Sequence, residues 1–254
     1  MKVVILAGGF GTRISEYTDL IPKPMIKIGG EPIITHIMSI YQKFGFNEFI
    51  IALGYKSHVI KDYFLNYRSL NSDLFIDIKN GSTKFLKQTK LDWKISLIDT
   101  GENSMTGGRI LRLKEYLKDE KFMLTYGDGV SDINITKLID FHKKMGKVAT
   151  VTAVRPVARF GELQINNSTV INFSEKPQTQ SGWINGGFFV FEPEIFNYLE
   201  NDQTVLEKEP LIKLSSENKL AAYKHTNFWH CMDTKRDKDI LDLMCKNQSP
   251  PWKS

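Results

Sequence analysis

The run VVILAGGFGTR at residues 3–13 constrains the fold more than any other stretch of the chain. Val3, Val4, Ile5 and Leu6 are continuous, apolar and mostly β-branched, which reads as a short strand buried on both faces, the usual first strand of a parallel sheet. Gly8, Gly9 and Gly11 follow at once, three glycines in four positions. With no Cβ in the way, the backbone turns sharply there and brings several N–H groups to one anion. Two familiar phosphate loops are excluded by position: a dinucleotide fingerprint starting at Gly9 needs glycine where Ile14 stands, and no Walker-type Gly-Lys-Ser/Thr occurs. What the loop has instead is Arg13 and, beyond an irregular polar stretch, Lys23 between Pro22 and Pro24. A rigid guanidinium fork and a mobile ammonium together suit a polyphosphate longer than loop amides alone can neutralise. A tight βα turn with two solvated cations is the bland alternative.

Strands and helices alternate after this loop. EPIITHIMSIYQKFG has helical spacing at Ile34, Ile37, Met38 and Tyr41 and closes on Gly45, and EFIIALG (48–54) reads as a second buried strand. SHVIKDYFLNY is an amphipathic helix, KISLIDTG (94–101) a strand, GGRILRLKEYL a helix opening on Gly107 and Gly108, and KFMLTYGDG (121–129) a strand ending in a loop. DFHKKMG closes a helix and KVATVTAV (147–154) begins the next strand. Such alternation predicts right-handed crossovers and an α/β fold with a mostly parallel sheet. FGELQINNSTVINFSEKP and WINGGFFVFEP instead read as short alternating runs of a meander or small mixed sheet. The expected plan is one domain, a nucleotide-binding half at 1–150 and a smaller, β-rich substrate-side half at 151–254.

Composition narrows the function classes. The formal charge of 34 minus 29, or +5, is spread without a basic run, which suits small anions and gives no argument for nucleic acid. Cys231 and Cys245 lie too far apart for a zinc knuckle and are too few for a disulfide framework, so a reducing cytoplasm is expected. Residues 1–25 lack a signal-peptide pattern, and no apolar stretch approaches membrane-spanning length.

In open α/β sheets ligands sit beyond the carboxyl ends of strands. The residues there are Gly8 to Arg13, Asp99 to Arg109, and Gly127-Asp128-Gly129. Asp128 has the exposure of a metal-binding carboxylate, although Asp-Gly is also a common turn. Asp233 of CMDT precedes a predicted helix, where a helix N-cap is the first reading. Mg²⁺ often takes one or two carboxylates plus substrate phosphates, so these two aspartates would suffice if the fold brought them together. Ala7 and Gly8 are placed to present backbone groups to a base, and the glycines of SMTGGR to let a base stack on the main chain. Trp183, Phe228 and Trp229 are expected in the core or an interface.

LAGGFGTR, PKPM, YGDG, EKP and NGG, in this order and spacing, resemble the sugar-1-phosphate nucleotidyltransferases over nearly the whole chain. DTGENSMTGGRILR, YGDGV, RFGELQI, INGGFFVF, FWHCMDTKRDK and the terminal PPWKS are similar, more narrowly, to the cytidylyl members of that family. The resemblance implies a Rossmann-like nucleotidyltransferase fold, Mg²⁺ dependence, CTP and α-D-glucose 1-phosphate as substrates, and CDP-glucose and pyrophosphate as products. It further implies homo-oligomeric assembly, as hexamer or dimer, and a place in O-antigen dideoxyhexose synthesis for surface polysaccharide. A uridylyl- or thymidylyltransferase is the neighbouring alternative. By the same resemblance Leu6, Ala7, Gly8, Gly9, Phe10, Gly11, Thr12, Arg13, Lys23, Ser104, Arg109 and Gly127 hold the nucleotide, with Arg13 and Lys23 catalytic. Asp128 and Asp233 hold the metal, Lys176 the sugar phosphate, and Glu175, Asn185 and Gly186 contact sugar hydroxyls, although EKP taken alone reads as a surface turn.

What the sequence lacks agrees with this chemistry. None of His36, His58, His142, His225 and His230 sits beside a serine or cysteine in a nucleophile motif, as triad hydrolysis would require. A sugar phosphate needs no such base, because its second pKa is about 6 and it arrives ionised. A nicotinamide oxidoreductase is disfavoured by Ile14, and a noncatalytic nucleotide-sugar-binding subunit by the joint presence of Arg13, Lys23, Asp128 and Asp233.

Overall fold

A computed structural model describes residues 1–86, 91–156, 162–174, 182–246 and 250–253. Strands β1 (Val3–Leu6), β2 (Glu48–Leu53), β3 (Lys94–Asp99), β4 (Phe122–Tyr126), β5 (Ala149–Val154), β6 (Ile184–Phe191) and β7 (Leu220–His225) form one seven-stranded sheet in the order β7-β5-β6-β4-β1-β2-β3. β1 is parallel to β2 and β4, setting Ile5 opposite Ile51 and Thr125, and β2–β3 and β5–β7 are parallel too. β6 alone runs against its neighbours, β4 and β5.

The order fixes where a ligand can enter. From β1 the chain winds outward to β2 and β3, then returns to the other side of β1 to form β4. The loops after β1 and β4 therefore diverge and leave a crevice between them, the switch point of a doubly wound sheet. The two loops are the glycine-rich segment and Gly127-Asp128.

Both sheet faces are covered, as a continuously apolar β1 requires. Val3 and Ile5 pack on one side with Phe49, Ile51, Met123 and the buried stripe of the Ile33–Gln42 helix, which includes Ile34, Ile37, Met38 and Tyr41. Val4 and Leu6 point the other way, to Ile50, Leu124, Phe189, Ile110 and Leu117. The Ile135–Met145 helix starts on Asn134, whose side chain accepts from the Lys137 N–H at 2.9 Å, and ends on Gly146 in the left-handed region. Among the described residues no helix is long and apolar enough to cross a membrane.

One expectation is corrected. The Glu162–Asn166 and Thr169–Ser174 strands do form a separate antiparallel pair, but the INGGFFVF segment leaves it and becomes β6, inserted between β4 and β5. Its Phe188–Phe191 run is fully apolar, and burial between helix layers on both faces outweighs the turn-like Asn-Gly-Gly that precedes it.

Away from the crevice, buried His36 accepts a hydrogen bond at Nδ1 from the Trp252 indole at 3.2 Å. An indole only donates, so Nε2 carries the ring proton and donates it to the Ile28 carbonyl at 2.9 Å. Burial, the largest influence, holds the His36 pKa below the ordinary histidine range despite that carbonyl. The unfolded chain, titrating near about 6.5, therefore binds the proton first as pH falls, so stability is complete above that pH and declines below it. The melting temperature of the wild type should fall between about pH 6.5 and 5, and fall less in His36→Gln. Parallel declines in the two proteins would show that His36 contributes nothing to the acid sensitivity.

Candidate active site

A cleft of about 900 Å³ opens at the carboxyl ends of β1 and β4. Because β6 is antiparallel, its beginning lies at the same edge, which brings Asn185 and Gly186 to the cleft beside Tyr126 and Gly127.

The glycine-rich loop forms one wall. Among the described residues the N–H groups of Gly8, Gly9, Phe10 and Gly11 have no hydrogen-bond partner, so four backbone donors are available in one short segment. The loop is held from below by Arg109. Its guanidinium donates to the carbonyls of Gly8 (2.9 Å), Leu53 (3.1 Å), Gly101 (2.7 Å) and Glu102 (3.0 Å) and to the Thr100 hydroxyl (3.0 Å). A Cβ at position 8 would stand 2.1 Å from the Arg109 guanidinium, so any other residue there would have to displace it from these five bonds. Burial lowers the Arg109 pKa from its ordinary value, but the side chain stays charged, and among the described residues no carboxylate accepts from it. The floor of the cleft is thus positive. The Gly8 carbonyl, taken by Arg109 and by the Tyr55 N–H at 3.1 Å, and the Ala7 N–H, bonded to Ala52 at 3.0 Å, are already engaged. The base-facing groups expected from Ala7 and Gly8 therefore reduce to the Ala7 carbonyl and the Gly8 N–H.

The charged cluster lies across the cleft. Lys23 Nζ donates to Asp128 Oδ2 and to Asp233 Oδ1, both at 2.7 Å, and Arg13 donates to Asp233 Oδ2 at 2.7 Å. Lys23 is held in a short 3₁₀ turn running into Pro24, and its side chain is 11% exposed against 71% for Arg13. Burial alone would lower the Lys23 pKa, yet the Asp128 charge and the hydrogen bonds to both aspartates carry it above the ordinary value. Burial likewise pushes the Asp233 carboxyl upward, and Lys23 and Arg13 more than reverse this, leaving it below the usual carboxylate range.

The two aspartates meet because two short strands meet. Gly129–Ser131 pairs antiparallel with Trp229–Cys231, Gly129 facing Cys231, and the Met232 N–H donates to the Asp128 carbonyl at 2.8 Å. The N-cap reading of Asp233 is overturned by its neighbours. Thr234 Oγ1 accepts from the Asp237 N–H at 3.3 Å while Asp237 Oδ2 accepts from the Thr234 N–H at 2.8 Å, a reciprocal capping box for the Lys235–Lys246 helix. That box leaves the Asp233 side chain to face Lys23.

Asp128, Asp233 and Cys231 offer ligand atoms within 4.8 Å of one another. Two hard carboxylates already sharing a cation fit Mg²⁺. Burial, then the Asp128 charge, drives the Cys231 thiol pKa far upward, so it stays protonated and contributes little to a hard ion.

Leu6, Phe10, Gly11, Ser104 and Gly127 also line the cleft, whereas Thr12 does not. Glu175 and Lys176 lie outside the described residues. Gly107 and Gly108 serve a different end from base stacking. The Met105, Gly107 and Gly108 N–H groups donate to the Asp202 and Thr204 carbonyls, and a Cβ on Gly108 would stand 2.2 Å from the Asp202 oxygen. These glycines let the 202–204 segment seal the start of the Thr106–Arg112 helix. Sequence reasoning missed other lining residues, among them Trp229, Tyr126, Cys231 and Glu207. Trp229, expected in the core, reaches the cleft and donates to the Gly186 carbonyl at 2.7 Å. Tyr126 and Cys231, each two positions from an aspartate, could have been found by their spacing, but Glu207 gives no local signal.

The nucleotidyl transferase family model matches residues 2–246. The chain is 48% identical over 255 residues to the glucose-1-phosphate cytidylyltransferase of Salmonella typhimurium, covering 100% of this chain and 99% of that protein. It is 46% identical over 254 residues to the probable glucose-1-phosphate cytidylyltransferase of Bacillus subtilis, again covering 100% and 99%. Among solved structures, HddC from Yersinia pseudotuberculosis superposes with a TM-score of 0.69 at 24% identity over 97% of this chain and 98% of the other. UDP-glucose pyrophosphorylase complexed with UDP-glucose gives 0.69 at 18% identity over 97% and 99%. These two likenesses establish the fold, and the family match and close relatives go further: the chain belongs to the nucleotidyl transferase family.

Proposed function

We propose that the protein transfers a cytidylyl group from CTP to α-D-glucose 1-phosphate, forming CDP-glucose and releasing pyrophosphate. The observation that carries this reading is the convergence of Arg13, Lys23, Asp128 and Asp233 on one cleft beside a loop of unengaged backbone N–H groups. Two anions must meet there, the triphosphate and the sugar phosphate, and the sugar phosphate attacks the α-phosphorus without a base. The chain's part is positioning and charge neutralisation. The loop N–H groups and Arg13 hold the departing pyrophosphate, and Lys23 neutralises charge at the α-phosphate, turning from the aspartates toward the phosphate. Asp128 and Asp233 would hold Mg²⁺, which when bound screens the phosphate charges and orients the two phosphates. Lys176 holds the sugar phosphate, and Asn185 and Gly186, with Glu175, contact sugar hydroxyls. Ser104 and the charged floor made by Arg109 lie on the nucleotide side. Residues 1–150 thus serve the nucleotide and 151–254 the sugar, in a cytoplasmic homo-oligomer whose hexameric or dimeric state sedimentation would determine. Its product would supply O-antigen dideoxyhexose synthesis.

Nucleotide choice tests the proposal. Cytosine presents an amino donor where uracil and thymine present a carbonyl, so a site matched to cytosine leaves a polar group unpaired with UTP. Such a mismatch costs about 1–3 kcal/mol, or roughly ten- to a few-hundredfold in rate. Pyrophosphate release with Mg²⁺, glucose 1-phosphate and each of CTP, UTP, dTTP, ATP and GTP should rank CTP first, UTP detectable and weaker, and the purines far below. Equal or better turnover with UTP or dTTP would move the assignment to a uridylyl- or thymidylyltransferase.

A further inference from the structure

The wall of the cleft formed by Tyr126, Asn185, Glu207 and Thr106 carries a polar network that the charge-neutralising chemistry does not use. The direction of its hydrogen bonds can be assigned. Asn185 Oδ1 accepts from the Gly187 N–H at 2.8 Å, which leaves its Nδ2 to donate to the Tyr126 oxygen at 3.1 Å. The Tyr126 hydroxyl then donates to Glu207 Oε1, and the Thr106 hydroxyl donates to Glu207 Oε2 at 2.6 Å. Burial and the neighbouring Glu207 charge both hold the Tyr126 phenol protonated, as its role of donor requires. The Tyr126 ring packs directly on Gly187, where a Cβ would lie 2.6 Å from it.

The network ends on an exposed carboxylate fixed in orientation by a donor on each oxygen. A carboxylate has about four acceptor sites, of which two are filled. A fixed negative charge in a cleft that receives two phosphates repels them. It is favourable where uncharged donor groups of a substrate lie; on these substrates those are the sugar hydroxyls and the cytosine amino group, and a carboxylate with an acceptor site free on each oxygen matches the two adjacent hydroxyls of a diol. Thr106, on the nucleotide side, and Tyr126, which is bonded to Asn185 on the sugar side, both reach Glu207, so either a hexose or a ribose diol could meet it.

We propose that Glu207 is a specificity-determining residue that accepts hydrogen bonds from a sugar diol of the substrates, with Tyr126 and Thr106 as the residues that position it. The inference rests on the nucleotidyl transfer proposed above and adds to it the recognition of the polyol. Replacing Glu207 with glutamine keeps the shape but turns one acceptor into a donor opposed to Tyr126 or Thr106.

The test compares wild type and Glu207→Gln in two analogue series, the 2-, 3-, 4- and 6-deoxy forms of glucose 1-phosphate and the 2′- and 3′-deoxy forms of CTP. In Glu207→Gln the Michaelis constant for one of the two parent substrates should rise about ten- to a hundredfold, with a smaller change in the catalytic constant and an unchanged melting temperature. The analogue lacking the accepted hydroxyl should cost the wild type a similar factor in kcat/KM and cost Glu207→Gln less than about threefold, because the contact is already lost. A matched analogue in the glucose series assigns the diol to the hexose, and one in the CTP series assigns it to the ribose. Tyr126→Phe, which removes one positioning donor, should raise the same Michaelis constant by a smaller factor. Wild-type kinetics in Glu207→Gln, or equal losses for every analogue in both proteins, would overturn the assignment. Failure of the wild type to release pyrophosphate from CTP and glucose 1-phosphate would instead overturn the proposed reaction.

Discussion

Replacing Asp128 or Asp233 with alanine should lower turnover by several orders of magnitude while leaving the fold nearly intact. Each carboxylate takes a bond from Lys23, so either variant leaves Lys23 with one partner and the cleft with one of two hard ligands. A single carboxylate beside an unneutralised ammonium is a poor Mg²⁺ site, and the charge stabilisation supplied by the ion is lost with it. The stability cost is smaller because Lys23 remains paired and the aspartates are partly exposed. Initial rates over a Mg²⁺ titration, with thermal melting of the same samples, separate these effects. EDTA should abolish wild-type activity and added Mg²⁺ restore it. Full activity in Asp128→Ala would remove Asp128 from the chemistry.

Lys23→Ala should lose about a hundredfold or more in the catalytic constant, as expected when a charge contact of about 2–4 kcal/mol is realised mainly in the transition state. Arg13→Ala should follow the same pattern more weakly. Lys23 is nearly buried, whereas Arg13 is largely exposed and its attraction to phosphate is screened by water. The two variants should also differ in the folded state. Without Lys23, Asp128 and Asp233 face each other with no cation between them, and the melting temperature should drop; without Arg13, which makes a solvent-exposed ion pair, it should hardly move. Steady-state kinetics in both substrates and thermal melts check both points, and unchanged kinetics in both variants would reduce the glycine-rich loop to a βα turn.

Much of this site was legible because it depends on local backbone demands. The apolar β1 followed by Gly8, Gly9 and Gly11 announces a strand and an anion-facing loop within a few residues, and Arg13 and Lys23 lie close in sequence. Asp128 could be placed at a strand end, but whether it is a turn residue or a ligand depends on what stands opposite. Asp233 was ambiguous for a similar reason. Its position before a helix is that of an N-cap, and only the Thr234–Asp237 capping box shows that the helix does not use it.

By itself the sequence determined the strand–helix alternation, the parallel sheet and the glycine-rich loop, since hydrophobic period and glycine placement act over a few residues, where backbone sterics and burial decide the outcome. Tertiary structure alone decided that INGGFFVF runs antiparallel inside the main sheet, that Gly107 and Gly108 receive the 202–204 chain, that Arg109 props the loop from beneath, and that Glu207 meets Tyr126 in the cleft wall. Each of these is a pairing between segments far apart in the chain. Such pairings are set by which buried polar groups and apolar faces must satisfy one another once the sheet has closed, and no short stretch of residues encodes that requirement.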